Sequence, residues 1–249
     1  MKKLIGPTVI ALLLALGAWT WMTAPLERDA ARDLPWTLPD YRDAQFHWKL
    51  DDRGRIHNEV EHFFLSAISP QMVSWFYRQL PISTVDYRGV RYPLYHIFHP
   101  TEHGRIQVLE AAGDGVPGMG PGALIMREEW FGPYDSRGRA RLMTLDDEGM
   151  LAIPQFAGIS VGRVEHSWRA EAGGTRYRVD AVIGVDWPII GPLFNRAMRY
   201  FVFHPGMMVQ WQRHQVEEVS SLQFFLPALY AQRAGGNHFR LESAGLPRR

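Results

Sequence analysis

The stretch that most constrains this chain is "GMMVQWQRHQVEEVSSLQFFLPALY", near its C-terminus. Met207, Trp211, His214, Glu218, Leu222 and Phe225 recur at three or four residues, so all six share one face of a helix from about Gly206. Pro227 is expected to bend or end that helix. Before it, from about residue 46, short apolar runs with polar alternation are separated by glycine-rich turns. "RIHNEVEHFFL", "GALIMREEWFG", "ARLMTLDDEGM" and "SVGRVEHSWRAEAGGTRYRVDAVIGVD" are predicted strands, the last with a Gly-Gly hairpin signal. "SPQMVSWFYRQL" is predicted to be a short helix with Ser69 as N-cap and Pro70 at its first position. An antiparallel sheet followed by a long amphipathic helix predicts an α+β grip, with the sheet curled around the C-terminal helix and a ligand cavity between them. Hydrophobic residues at 46% and aromatics at 12% suffice for one sizeable core.

The N-terminus reads differently. "MKK" precedes "LIGPTVIALLLALGAWTWM", residues 4 to 22, which carries no charge. A basic start and an apolar run are the marks of an export signal, and the run approaches the roughly 20 residues that span a bilayer. "WTWMTAP" puts bulky residues where signal peptidase prefers small ones, so residues 1–23 are expected to form an uncleaved inner-membrane anchor with the domain facing the periplasm. Cleavage would instead make the protein periplasmic or secreted. Residues 24–45, rich in charge and proline, are expected to be a linker, 46–235 the folded domain and 236–249 a tail. With a formal charge of +1 and no long run of either sign, the chain lacks the concentrated basic face that nucleic acid requires. There are no cysteines, so His, Asp and Glu are the only strong metal ligands. The number of subunits is left open, a homodimer included.

Polar residues on an apolar helix face need an explanation. His214 and Glu218 are four apart and leave the helix on the same side. One divalent ion could be ligated by both; an i,i+4 hydrogen-bonded pair on a partly wet face is the alternative. Glu217 points elsewhere, toward solvent or in support of a ligand from outside. A second cluster is "YHIFHPTEH", residues 95 to 103, with three histidines, a tyrosine and a glutamate. Its His-Pro step favours loop or strand end over helix. A third candidate is the pair Glu128 and Glu129. In a strand, Leu124, Met126, Glu128 and Trp130 share one face and Ile125, Arg127, Glu129 and Phe131 the other. If Arg127 marks the wetter face, Glu128 points inward. His57 and Glu61 lie about 13 Å apart in a strand, too far for one metal, and His204 is expected in a turn.

Three blocks of the sequence resemble the 2,4-diacetylphloroglucinol hydrolase family, zinc enzymes of Bet v 1-like (START-like) helix-grip fold. "ISPQMVSWFY" is similar to the family's Thr/Ser-Pro-Glu-Met followed by aromatics. "YHIFHPTEH" is similar to its Tyr-x-x-x-His-Pro-x-x-His, and "HQVEEVSSLQFFLPALY" to its His-x-x-x-Glu block ending in Phe-Leu-Pro-x-Leu-Tyr. Together they span about residues 57 to 231. The resemblance implies one Zn2+ held by His103, Glu128, His214 and Glu218, with Glu129 adjacent to the third ligand block. It also implies Tyr95 near the substrate and His166 in the active site, with His99 in support of a ligand. Gln71 stands where the family has glutamate, and Ala181-Val182 where it carries an aromatic residue before Ile-Gly. Those departures bear on the substrate and leave the metal ligands intact.

The implied activity is hydrolysis of the carbon–carbon bond between an acyl group and a phenolic ring, with Tyr95 and His166 moving protons. Trp75, Met207, Trp211 and Phe225 are the expected apolar lining for a flat aromatic substrate. Two other readings share the fold: a carrier of an apolar ligand that does no chemistry, and a zinc hydrolase of another ester or amide. A glutamate-histidine donor set admits manganese or iron as well as zinc.

Overall fold

The computed structural model describes residues 5–242. Helix α1 (Ile5–Thr23) leads into an irregular stretch and then strands β1 (Gln45–Leu50), β2 (Ile56–Glu61) and β3 (Leu65–Ser66). Helix α2 (Pro70–Gln79) is followed by β4 (Thr84–Tyr87), β5 (Val90–Pro93) and the single helical turn α3 (Leu94–Phe98). Then come β6 (His103–Glu110), β7 (Leu124–Phe131), β8 (Tyr134–Leu145), β9 (Gly149–Phe156), β10 (Ile159–Ser160), β11 (Gly162–Glu171) and β12 (Gly174–Ile183). Helices α4 (Gly191–Phe201) and α5 (Pro205–Ala231) and strand β13 (His238–Leu241) complete the described chain.

A ten-stranded antiparallel sheet runs in the order β1-β2-β12-β11-β9-β8-β7-β6, with β3 added beside β12 and β10 beside β9. Alternation along β2 and β12 sends every second side chain into the core. That core is shared with α5, whose Val216, Val219, Leu222, Phe225, Leu226 and Leu229 are fully buried in one cluster with Val60, Tyr177 and Val179 of the sheet. The sheet therefore grips α5, as the sequence pattern predicts, and the fold is α+β of the helix-grip type. The β11–β12 hairpin turns at the expected glycines. Gly173 has φ of +87°, and a Cβ on Gly174 would lie 2.2 Å from the carbonyl oxygen of Leu65, so neither position admits a larger residue without strain. In α2, Ser69 caps the helix by accepting a hydrogen bond from the Met72 amide and Pro70 occupies the first turn.

Several elements depart from expectation. Helix α5 continues through Pro227 to Ala231 rather than ending there. Leu94–Phe98 is helical, although His99 itself is extended, as a residue before proline should be. A small second sheet, β13-β4-β5, uses four residues of the expected tail, with β13 parallel to β4; residues 243–249 lie outside the described chain. The stretch 24–45 is no free tether, since Leu34 and Trp36 are 4% and 5% exposed and sit in the main core. Lys2 and Lys3, the basic start of the expected leader, also lie outside the described residues. The second half of α1 rests on the domain, with Ala15, Ala18, Trp19 and Met22 against Phe156, Val161 and Val185. Among the described residues no helix is long and apolar enough to cross a membrane.

Candidate metal centre

Between the sheet and α5 lies a cavity of about 430 Å³, within the usual size range for a small-molecule site. Its wall is apolar over Phe98, Ile125, Leu142, Met150, Met207 and Trp211, and among its polar groups are Tyr95, Arg127, Glu129, His166, His214 and Glu218. Trp75 and Phe225, expected in the lining, are elsewhere. Trp75 packs edge-on against Tyr230 and Phe239, and Phe225 lies in the core against Trp36 and Phe76. Phe225 points away from the cavity because most of the apolar surface of α5 is spent on the core, and Trp75, on α2, packs against the end of α5 and β13 instead.

His103 and His214 meet at the polar end. Their Nε2 atoms are 3.2 Å apart. Glu218 Oε2 lies 3.3 Å from Nε2 of His103 and 3.7 Å from Nε2 of His214, and Glu129 Oε1 lies 3.9 Å from Nε2 of His103. Three distant stretches of chain therefore converge. His103 opens β6, Glu129 is its register partner on β7, and His214 and Glu218 project from successive turns of α5.

The ring protons are fixed by what the other nitrogens touch. Nδ1 of His103 donates to the carbonyl of Tyr95 at 2.7 Å, and Nδ1 of His214 donates to Glu102 Oε2 at 2.9 Å. Burial, with neighbouring imidazoles adding to it, holds both histidines well below their usual pKa, so each is a neutral ring with one proton. That proton is on Nδ1, and each Nε2 presents a lone pair. Two lone pairs and the Glu218 carboxylate thus face one another, while Glu129 at their edge is held by the Tyr95 hydroxyl and the Arg127 guanidinium. Burial pushes Glu218 up to about 8, against a lowering influence from Arg127. Without a cation, Glu218 holds a proton that satisfies one of these acceptors.

Charge counting agrees. Glu102, Glu129, Glu217 and Glu218 stand against two guanidinium groups: Arg127 is paired with Glu129, and Arg213 with both Glu102 and Glu217. Fully ionised, the cluster carries two surplus negative charges among neutral imidazoles, which one divalent ion cancels. The donor set of two imidazoles and two carboxylates fits zinc, and the second nitrogen of each histidine is anchored as metal-bound histidines usually are.

Glu128, expected as the inward carboxylate, is on the opposite face of β7. It accepts from Arg137 Nε at 2.8 Å and Arg105 at 3.2 Å. The face assignment fails because Arg127 is itself inward, neutralising Glu129 instead of facing water. His99, stacked on His214 with centroids 4.5 Å apart, contacts Glu217 through Nε2 at 3.1 Å, and its Nδ1 accepts from the Glu102 amide at 3.2 Å. Glu217 is therefore turned toward the cluster and not toward solvent. Sequence reasoning missed Glu102, although it stands next to His103, and Arg127, whose signal is its alternation with Glu129.

Tyr95 stacks on His103 with ring centroids 3.9 Å apart, and its hydroxyl donates to Glu129. Burial raises its pKa, so it remains a phenol. His166, on β11, has Nδ1 2.8 Å from the hydroxyl of Tyr177, which is 2.6 Å from that of Tyr77. Burial, with Arg127 adding to it, lowers His166 to about 3, so it is a neutral ring at physiological pH. Glu102 orients His214, and Glu102→Gln is expected to weaken metal binding by about 10–100-fold while the fold is kept. A zinc titration against a competing chelator measures this.

No family model matches the chain, and no curated protein matches it. Among solved structures it is similar to Ms6760 from Mycobacterium smegmatis, at 12% identity and a TM-score of 0.42, covering 72% of this chain and 96% of that one. It is also similar to a START superfamily protein from Mycobacterium smegmatis (13% identity, TM-score 0.36, 65% and 98% covered). A third is Ara h 8.0201 (12% identity, TM-score 0.37, 72% and 99% covered).

Proposed function

We propose that this protein is a zinc-dependent hydrolase that cleaves the bond between an acyl group and the ring of an acylated phenol. One observation carries the metal assignment: two deprotonated Nε2 atoms and the Glu218 carboxylate converge at the end of an apolar cavity, with Glu129 beside them. His103, Glu129, His214 and Glu218 would hold the ion; Glu129 is the inward member of the Glu128–Glu129 pair. Zinc bound there supplies a Lewis acid for a carbonyl or phenolic oxygen.

The chain's own groups do the rest. The apolar wall takes a flat ring and keeps bulk water from it. Water adds to the acyl carbonyl, the acyl–ring bond breaks, and its electron pair stays on the ring carbon, which takes a proton. Tyr95 and His166 both border the cavity, and we assign the proton movements to them. His166 is held by Tyr177, so its neutral ring keeps one orientation. The products are a carboxylic acid and the deacylated phenol. Residues 1–23 serve as the export segment or anchor in this reading, which puts the reaction outside the cytoplasm.

The test is a purified full chain, stripped with a chelator and reloaded, assayed on mono- and diacylated phloroglucinol and on aryl esters. Expected is one zinc per chain, with deacylation lost on stripping and regained on reloading. Tight binding of the phenols with no product in either state would make the protein a carrier, and turnover confined to the esters would change the bond cleaved.

A further inference from the structure

The outer surface of α4 is built the wrong way round for water. Its inner side, with Asn195 and Met198, is buried, and Phe194 joins α1 and Trp187 over one apolar cluster. Its outer side should be polar. Instead Leu193 is 70% exposed, Tyr200 74% and Phe201 57%, and the preceding Ile189 is 92% exposed. Ile189 also has φ of +65°, a left-handed conformation that a β-branched residue adopts only at a cost in strain. Among the described residues nothing covers that side chain.

The same surface continues onto α1. Trp19 meets Phe201 edge-on with centroids 4.8 Å apart, and beyond it Leu13, Leu16 and Ile10 of α1 are more than half exposed. An apolar face this wide on two adjoining helices marks an interaction site.

Charge and aromatic placement identify what it meets. Helix α4 carries Arg196 and Arg199 and no carboxylate. Beside the end of α1, Arg137 and Arg139 lie over the ring of Trp21, at 5.5 and 4.7 Å. Apolar side chains flanked by tryptophan and tyrosine and bordered by arginine are the composition of a surface that sits in the headgroup region of an anionic bilayer. The exposed residues among those lining the cavity are Thr23, Pro25, Phe201 and His204, at the ends of these two helices or just after them, with Pro133 and Arg139 of the β7–β8 hairpin beside α1, which places the cavity mouth at the edge of this face.

We propose that the α1–α4 face docks on an anionic lipid bilayer and sets the mouth of the cavity against it, so that an apolar ligand enters from the lipid and not from bulk water. Contact with one leaflet is enough; no crossing by α1 is needed. The inference depends on the cavity holding the ligand and is independent of the chemistry proposed there.

Because the chain has no cysteine, single cysteines report on single positions. Leu13→Cys, Leu193→Cys, Phe201→Cys and Glu110→Cys in the full chain, each labelled with a nitrobenzoxadiazole dye, are mixed with phosphatidylcholine–phosphatidylglycerol vesicles. Labels at 13, 193 and 201 are expected to shift to the blue, to rise several-fold in intensity and to be quenched by spin-labelled lipid; the label at 110 is expected to stay water-like. If 193 and 201 stay water-like while 13 shifts, only α1 meets the bilayer and the proposal fails. It fails equally if 193 and 201 shift without vesicles as protein concentration rises, which makes the face a contact between copies of this chain.

Discussion

His214→Ala is expected to lose its bound zinc and to lower turnover of an acylated phenol by more than about 100-fold. The bound of roughly 100-fold comes from what removal of a supporting hydrogen-bond partner alone costs a metal site, and His214 is placed to be a direct ligand. Its Nε2 faces His103 and Glu218, and no other described nitrogen can replace it, because His99 turns its Nε2 to Glu217. The loss should be specific. His214 is buried beside α5 residues that pack independently of it, so circular dichroism should report a folded protein. Metal content by elemental analysis and turnover are measured together on one preparation. Retained turnover in a metal-free His214→Ala would remove the zinc mechanism, and retained zinc would remove the ligand assignment.

Phe225→Ala is expected to cost about 3–5 kcal/mol of stability, the usual range for deleting a large aromatic side chain from a core. For a chain of this size that is a fall in melting temperature of roughly 6–20 °C. Phe225 is fully buried, with ring centroids 5.6 Å from Trp36 and 5.7 Å from Phe76. It ties together α5, α2 and the stretch before β1. Because it does not line the cavity, its loss should leave the substrate KM unchanged at temperatures where the variant is folded. Thermal denaturation and a KM measurement decide the point: an unmoved melting temperature with a raised KM would put this ring in the ligand site.

Phe225 also shows what could be read from the chain in advance. Helical spacing correctly placed Met207, Trp211, His214, Glu218, Leu222 and Phe225 on the inner side of α5, because a 3.6-residue period follows from backbone geometry alone. Spacing does not say what the inner side faces at each level along the axis. At one end it faces the cavity and at the other the closed core, which is a tertiary fact. The two-residue period of β7 is equally plain, and it separates Glu128 from Glu129 without saying which of them faces in. Choosing between faces required knowing that Arg127 spends its charge on Glu129 inside the fold, a pairing invisible in one dimension. Glu102 was overlooked for a related reason: its partner His214 is 112 residues away. The small β13-β4-β5 sheet escaped notice because each strand has only four residues, too few for a period to show.

The pairing of β6 with β7 constrains how this chain can change by descent. His103 stands opposite Glu129, and the ladder then skips, so that the next paired residue on β6 is Ile106, opposite Arg127. Were β7 to lose or gain one residue upstream of Glu129, Glu128 or Trp130 would be dealt into the slot beside the imidazole and the arginine would swing outward. Drift within β7 is therefore barred, and descendants of this chain keep the spacing from Arg127 to Glu129 frozen, while changes of length between these strands fall on the exposed residues 113–117, since Ala112, Met119 and Ala123 are core residues.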